Sequence, residues 1–415
     1  MFFSENLITA IILTALIGGY LLYSIADLLN LGNLNKKMPE EFSGIYDQAK
    51  YAKSQEYLRI NTWFGLIQST VDLSLILIFW FLGGFRAIDG LARSLGQNSI
   101  LSGLIFTGIL LFLKFLASLP FSLYSTFVIE EKFGFNKTTL KLFILDLLRS
   151  MILGALLGGP LLALILWFFE SWGSLAWVYC WVVSTLFILV VQYIVPTWIM
   201  PLFNKFTPLE EGSLKEAIFR YADSISFPLS NVFVMDGSKR STKSNAFFTG
   251  FGKNKRIVLF DTLISQHNDS ELVSVLAHEM GHFKKKHIIK RLILGIFQMG
   301  VIFYLVSVFI SYPGLFRAFY VDQTSVYAGL VFFALLFTPI DMLLSLILQA
   351  SSRKDEYEAD RFAAETLNSG LPLVNSLKKL SVHNLSNLTP HPFYVFLNYS
   401  HPPVLERIHA LRRMG

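Results

Sequence analysis

The chain has 415 residues, of which 53% are hydrophobic and only 15% charged, and its mean hydropathy is +0.52. That balance excludes an ordinary soluble protein and puts much of the chain in a bilayer. A net charge of +6 does not mark a nucleic-acid binder here, because the basic residues are spread over short loops rather than massed on one domain.

The first apolar stretch covers 7–29. Met1-Phe-Phe-Ser-Glu before it lacks a basic region and no small-residue cleavage site follows, so it reads as a retained membrane helix. Further stretches at 62–85, 101–127, 147–170, 173–200, 291–312 and 327–350 have the length of about 20 residues that a crossing requires. Only Ser171 and Trp172 join the fourth to the fifth, which predicts a tight helical hairpin. The single cysteine, Cys180, lies in the fifth stretch, so an intrachain disulfide and a cysteine metal site are both excluded.

A polar insertion, 201–290, separates the fifth stretch from the sixth and reads as a small α/β unit. Glu210–Ile225 has helical spacing, with Leu214, Ile218 and Tyr221 on its apolar side. Asn231–Asp236 and Arg256–Phe260 read as strands, separated by the Gly-containing segment 249–254. Asn268-Asp-Ser-Glu271 has the form of a capping box opening a further helix. The expected division is therefore 1–200 with five membrane helices, 201–290 as a catalytic insertion, 291–350 with two more helices, and 351–415 as a tail that completes the site. The expected fold is mainly α and membrane-embedded, seven helices with a small α/β domain. The loops on the C-terminal side hold 29 of the 35 Lys and Arg, against three on the other side, which predicts a cytoplasmic C-terminus and insertion. Asn-x-Ser/Thr sites at Asn136, Asn384, Asn387 and Asn398 fall on that side and carry no glycosylation signal.

The chemistry is concentrated in His278-Glu279-Met280-Gly281-His282. Histidines at i and i+4 lie one helical turn apart on one face, so both imidazoles can reach a single zinc ion. Glu279, one residue on, can approach a water at the metal without becoming a ligand. A tetrahedral site still needs one more protein ligand. Beyond the seventh stretch, Asp355-Glu356-Tyr357-Glu358-Ala359-Asp360 is an acidic run that becomes helical. Glu356 and Asp360 are i and i+4, so one face offers both a ligand and an acceptor that orients a ligand histidine, while Glu358 sits about 200° from Glu356. Polar groups inside the spans, among them Asp72, Lys114 and Arg149, are expected to face protein or water. No partner spacing assigns His287 or the four other histidines outside the motifs named here.

Taken together, these features resemble the type 1 CAAX prenyl endopeptidases, polytopic membrane zinc proteases of the gluzincin kind. The resemblance rests on Phe127-Val-Ile-Glu-Glu-Lys-Phe-Gly-Phe-Asn136, Pro201–Leu209 and Ser244-Asn-Ala-Phe-Phe248. It extends through the His278–His282 motif, Glu356-x-x-x-Asp360 and His401-Pro-Pro-Val-Leu-Glu-Arg407. It implies one zinc per chain, held by His278, His282 and Glu356, with Glu279 as general base and Asp360 supporting a ligand histidine. It also implies that Asn245 and Ala246 line the substrate strand, and that His401 and Arg407 contact the bound peptide or the developing oxyanion. A chamber enclosed by the seven helices and capped by the zinc domain is implied in the same way. The expected activity is endoproteolysis of prenylated CAAX-type or similar membrane-delivered peptides, removing the C-terminal tripeptide, with peptide or lipidated peptide and the bilayer as partners and no nucleic acid.

Three other readings compete. A broad-specificity membrane quality-control protease would have fewer spans. An intramembrane-cleaving protease would not follow its zinc helix with Lys284-Lys-Lys286. An ion-binding transporter would show paired inverted repeats, which this sequence lacks. Compact loops and the lack of a recognisable retention tail favour a bacterial inner membrane, with the endoplasmic reticulum as the eukaryotic equivalent.

Overall fold

The computed structural model describes residues 4–34, 37–249 and 256–414, so most of the Gly-containing segment 249–254 lies outside the described residues. The seven apolar stretches form the helices Glu5–Gly32, Gln48–Phe81, Ser99–Tyr124, Leu140–Ser171, Ala176–Ile194, His287–Phe309 and Val326–Thr366, spans 1 to 7 hereafter. Local sequence starts several of them. The side chains of Ser4, Asp47, Asn98 and Thr139 each accept a hydrogen bond from the backbone N–H three residues on.

Several boundaries depart from the sequence expectation, among them span 4, which begins at Leu140, and span 7, which runs on to Thr366. Span 2 begins at Gln48, not 62, because its Asp47 cap starts the helix well before the apolar segment. It stops at Phe81, where Gly83 at φ 75° reverses the chain into a separate helix, Gly84–Leu95, within what read as span and loop. The join of spans 4 and 5 runs from Trp172 to Leu175 through a single 3-10 turn.

The spans pack in the closed order 2–1–7–6–5–4–3, and span 3 returns to span 2 through its terminal π turn, Ser125–Glu130. An ion pair of 2.6 Å between Lys114 and Asp72 joins spans 3 and 2, so each charge has a partner within the protein. In the most apolar window of each span only 6% to 17% of the residues are buried. The spans therefore touch along their edges and do not share a filled core.

Filling occurs at one end. Spans 3, 4 and 7 converge at Gly103, where an added Cβ would lie 2.6 Å from Leu166 Cδ1 and 2.9 Å from Tyr327 Cβ. Trp80, Phe85, Phe106, Phe319 and Phe332 pack around that convergence. Trp80 Nε1 donates to the Ala318 carbonyl at 2.7 Å and Tyr327 Oη to Asp89 at 2.7 Å, so the indole and the phenol in this plug are satisfied.

The opposite end carries the small α/β unit. Four strands, β1 (Phe206–Pro208), β2 (Asn231–Met235), β3 (Ala246–Thr249) and β4 (Arg256–Phe260), form a sheet of order β1-β2-β4-β3. β2 and β4 are parallel, and the two outer strands run antiparallel to their neighbours, which leaves β3 with an outer edge that no strand among the described residues pairs. β1 escaped the sequence reading because it is three residues long and ends in Pro208, an edge-strand feature. Ile218, Ile257, Leu259, Leu263, Leu276 and Met280 make the core between this sheet, the helix Ser213–Ser224 and the helix Asp269–Lys284.

Candidate active site

The helix Asp269–Lys284 opens on the expected capping box: Asn268 accepts from the Glu271 N–H, and the Glu271 carboxylate accepts from Asn268 N–H. It ends where Lys286 adopts φ 60°, turning the chain directly into span 6. His278 and His282 lie on the same face, and their Nε2 atoms approach to 3.2 Å. Span 7 does not stop at the membrane boundary but continues through Asp355–Asp360 to Thr366. Glu356 thereby reaches both imidazoles, Oε2 at 3.4 Å from His278 Nε2 and Oε1 at 3.2 Å from His282 Nε2. Gly281 allows this approach. A Cβ there would meet Ala359 Cα and its carbonyl oxygen at 3.2 Å, so a larger residue would push the two helices apart.

The surrounding contacts decide which nitrogen of each histidine is free. His278 Nδ1 donates to Asp360 at 2.9 Å, and Asp360 is fully buried. Arg407 in turn donates to Asp360 through Nε and Nη2, at 2.8 and 2.6 Å. His282 Nδ1 faces His287 Nδ1 at 3.0 Å, so one of the two carries the proton. Glu358 at 3.2 Å and Asp355 at 3.8 Å hold a proton on His287 Nε2, which makes His287 Nδ1 the acceptor and His282 Nδ1 the donor. Both ligand-type histidines thus present bare Nε2 lone pairs to the Glu356 carboxylate. Glu356 Oε2 is buried and has no hydrogen-bond donor among the described residues. Two lone pairs and a carboxylate sharing one point fit a divalent cation, and an N2O set from three protein groups with one side open suits zinc. Burial lowers the basicity of His278, yet the Asp360 and Glu356 carboxylates outweigh it and push His278 up to about 9, so without a cation a proton takes the place on Nε2 that a metal would occupy.

His287, unassigned from sequence, is therefore part of this arrangement. It stands five residues beyond His282, across a helix break, and no periodic pattern signals a contact through such a break. His287, Asp355 and Glu358 also lie close enough together to hold an ion. Asp355, however, already faces Lys290 at 3.4 Å and Arg291 at 3.5 Å, so its charge is met by two cations.

Glu279 leaves the ligand face, and burial pushes its carboxyl above the usual range, with His278 and His282 opposing more weakly. His401 is exposed, its Nε2 3.4 Å from Glu356 Oε1. Arg407 does not pair with its neighbour Glu406, which accepts from Tyr357 Oη at 3.0 Å. It is largely used by Asp360, with Nη1 3.7 Å from Glu356. Asn245 and Ala246 are on the sheet edge, and none of their hydrogen bonds reaches the histidine group. Phe260 N–H donates to the Asn245 carbonyl at 3.1 Å, which turns the Ala246 backbone toward the free edge of β3.

Comparison with known proteins matches residues 27–205 to a family described as CAAX prenyl protease N-terminal, five membrane helices, and residues 208–415 to peptidase family M48. The chain belongs to peptidase family M48. It is a multi-pass membrane metalloprotease, which sets the transporter reading aside. A CAAX prenyl protease 1 homolog of Arabidopsis thaliana is 40% identical over 405 residues, covering 94% of both chains. CAAX prenyl protease 1 of Saccharomyces cerevisiae is 36% identical, covering 90% of this chain and 88% of the yeast protein. The crystal structure of S. mikatae Ste24p superposes with a TM-score of 0.90 at 36% identity, across 97% of this chain and 98% of the other. The mainly helical, seven-span fold with its small sheet accords with that structure.

Proposed function

We propose that the chain is a zinc endopeptidase that removes the C-terminal tripeptide from prenylated CAAX-type peptides. The observation that carries this reading is the meeting of His278, His282 and Glu356 with both histidine Nδ1 atoms engaged elsewhere. The names of relatives matched along nearly the whole chain point to the substrate class. His278, His282 and Glu356 would hold one zinc per chain. The catalytic unit is built from 201–290 together with 351–415, carried on the helices of 1–200 and 291–350.

When bound, the metal supplies Lewis acidity toward the scissile carbonyl and lowers the pKa of water at that point. Glu279 takes the proton of the attacking water and returns it to the leaving amine. Asp360 and His287 fix the orientation of the two ligand imidazoles, and Arg407 neutralises Asp360 so that a buried carboxylate can remain there. His401, exposed beside Glu356, has an N–H to offer the charge that grows on the carbonyl oxygen. The outer edge of β3 receives the peptide as an added strand, whose carbonyl takes over the Ala246 N–H from Asn245 Oδ1. Loose packing between the spans, filled at the Gly103 end, supports a chamber in which a prenyl chain is sheltered.

His287→Ala is expected to weaken metal retention about 10- to 100-fold in competition with a chelator, the usual cost of losing an orienting partner. The 29-to-3 distribution of Lys and Arg supports a cytoplasmic C-terminus, the side on which CAAX tails are made. A reporter fused after residue 415 should be active only in its cytoplasmic form, and exterior activity would reverse the orientation.

The functional reading is tested by incubating purified protein with a farnesylated CAAX peptide, the same peptide without lipid, and an unfolded soluble protein. Mass spectrometry should find tripeptide release from the farnesylated peptide, abolished in Glu279→Gln. Cleavage of the unfolded protein alone, at scattered positions, would instead indicate a quality-control protease.

A further inference from the structure

The free edge of β3 is not open along its whole length. Because the Asn245 carbonyl accepts from Phe260, strand alternation points the backbone groups of Ser244, Ala246 and Phe248 outward. At Ala246 the N–H donates to the Oδ1 of its own neighbour Asn245 at 2.9 Å, and only the carbonyl is open, whereas at Ser244 both outward groups are already used by a distant residue. Ser244 N–H donates to Asn384 Oδ1 at 3.2 Å, and Asn384 Nδ2 donates back to the Ser244 carbonyl at 3.3 Å. A side-chain carboxamide thus occupies the position at which a peptide group of an added strand would pair.

Asn384 is held in that position by its surroundings. It caps the helix Leu371–His383, and the next residue, Leu385, has φ 50°, a conformation a branched side chain rarely adopts. Leu385 is nevertheless buried, packed with Ile129, Phe133 and Phe135, so core contacts enforce the turn that aims Asn384 at Ser244. On its other side Asn384 borders a cavity of about 240 Å³, also lined by Asn387, Tyr399, His401, Pro403 and Arg407. Two of those, His401 and Arg407, lie within 4 Å of Glu356. The blocked end of the edge and the metal-type site therefore open onto the same space.

We propose that Asn384 is a specificity-determining residue that ends the substrate-binding edge and so limits how many residues are released. This rests on the CAAX reading above. The retained side of the scissile bond carries the rest of a protein and has no natural end, so a blocked edge can only accommodate the short C-terminal side. The peptide then lies antiparallel to β3, its C-terminal end toward Ser244 and its upstream residues toward Phe248. A fourth or fifth residue beyond the scissile bond finds no free backbone partner and must displace the carboxamide of Asn384.

The test uses the full-length, metal-loaded protein and farnesylated peptides ending three, four or six residues after the prenylated cysteine. Wild type is compared with Asn384→Ala, with Asn384→Ser (serine is too short to bridge to Ser244 yet is tolerated at a helix end) and with Asn387→Ala. Asn387 lies in the same loop and bonds to Asn30 instead, so it controls for general loosening. The readout is the ratio of kcat/KM for the extended peptides to that for the natural length, with metal content as the check on folding. The ratio should rise about tenfold in the Asn384 variants, the scale of two lost hydrogen bonds, and stay at the wild-type value in Asn387→Ala. An unchanged ratio in folded Asn384 variants, or an equal rise in Asn387→Ala, overturns the proposal. Failure of the wild type to cut any of these peptides would reject the CAAX reading and this proposal with it.

Discussion

Glu279→Gln is expected to keep its metal and lose at least about 100-fold in turnover, the lower range of what a positioned acid–base group contributes. Adjacent residues on a helix point about 100° apart, so Glu279 leaves the ligand face that His278 occupies and its amide replacement disturbs no donor to the ion. The substitution preserves shape and removes only the capacity to take up a proton. Metal content and endopeptidase rate measured on the same preparation separate the two effects. A variant with normal metal and full activity would assign the base elsewhere.

Glu356→Ala should lose its metal and all activity with it, whereas Glu358→Ala should keep both. Glu356 is buried and faces His278 and His282, while Glu358 is half-exposed on another side of the helix, between His287 and Lys354. Removing Glu356 takes away one of three protein donors, a larger change than the 10- to 100-fold that loss of an orienting partner costs. Removing Glu358 costs His287 one of its two acids, and Asp355 remains. Metal analysis after dialysis distinguishes the two variants, and equal retention would overturn the choice of Glu356.

Much of this was legible in the sequence because it is written in periods. Seven apolar runs, the i and i+4 histidines, the Asn268–Glu271 cap and the Glu356–Asp360 pair all repeat at helical spacing, and each appears as a helix or a shared helix face. The missed features depend on breaks and on contacts between distant segments. Gly83 and Lys286 reverse the chain through positive φ, creating the helix Gly84–Leu95 in one case and bringing His287 back to His282 in the other. Nothing in the motif marks Gly281, but its missing side chain sets the distance from His278 and His282 to span 7. Asn384 read as part of an unused glycosylation pattern, and its bonds to Ser244 span 140 residues of chain.

Span 7 is one helix of 41 residues, apolar at its start and carrying Glu356 and Asp360 near its end. A rod of this kind transmits phase as well as position. One residue inserted in its lipid-facing half would advance the far end by about 1.5 Å and turn it by about 100°, moving Glu356 off the histidines without touching the site. Only Pro339, the proline inside this helix, offers a point where such a change could be absorbed as a kink. The membrane thickness this protein tolerates is consequently geared to its chemistry. Loops can gain or lose residues singly, but this shaft can change length only by about whole turns.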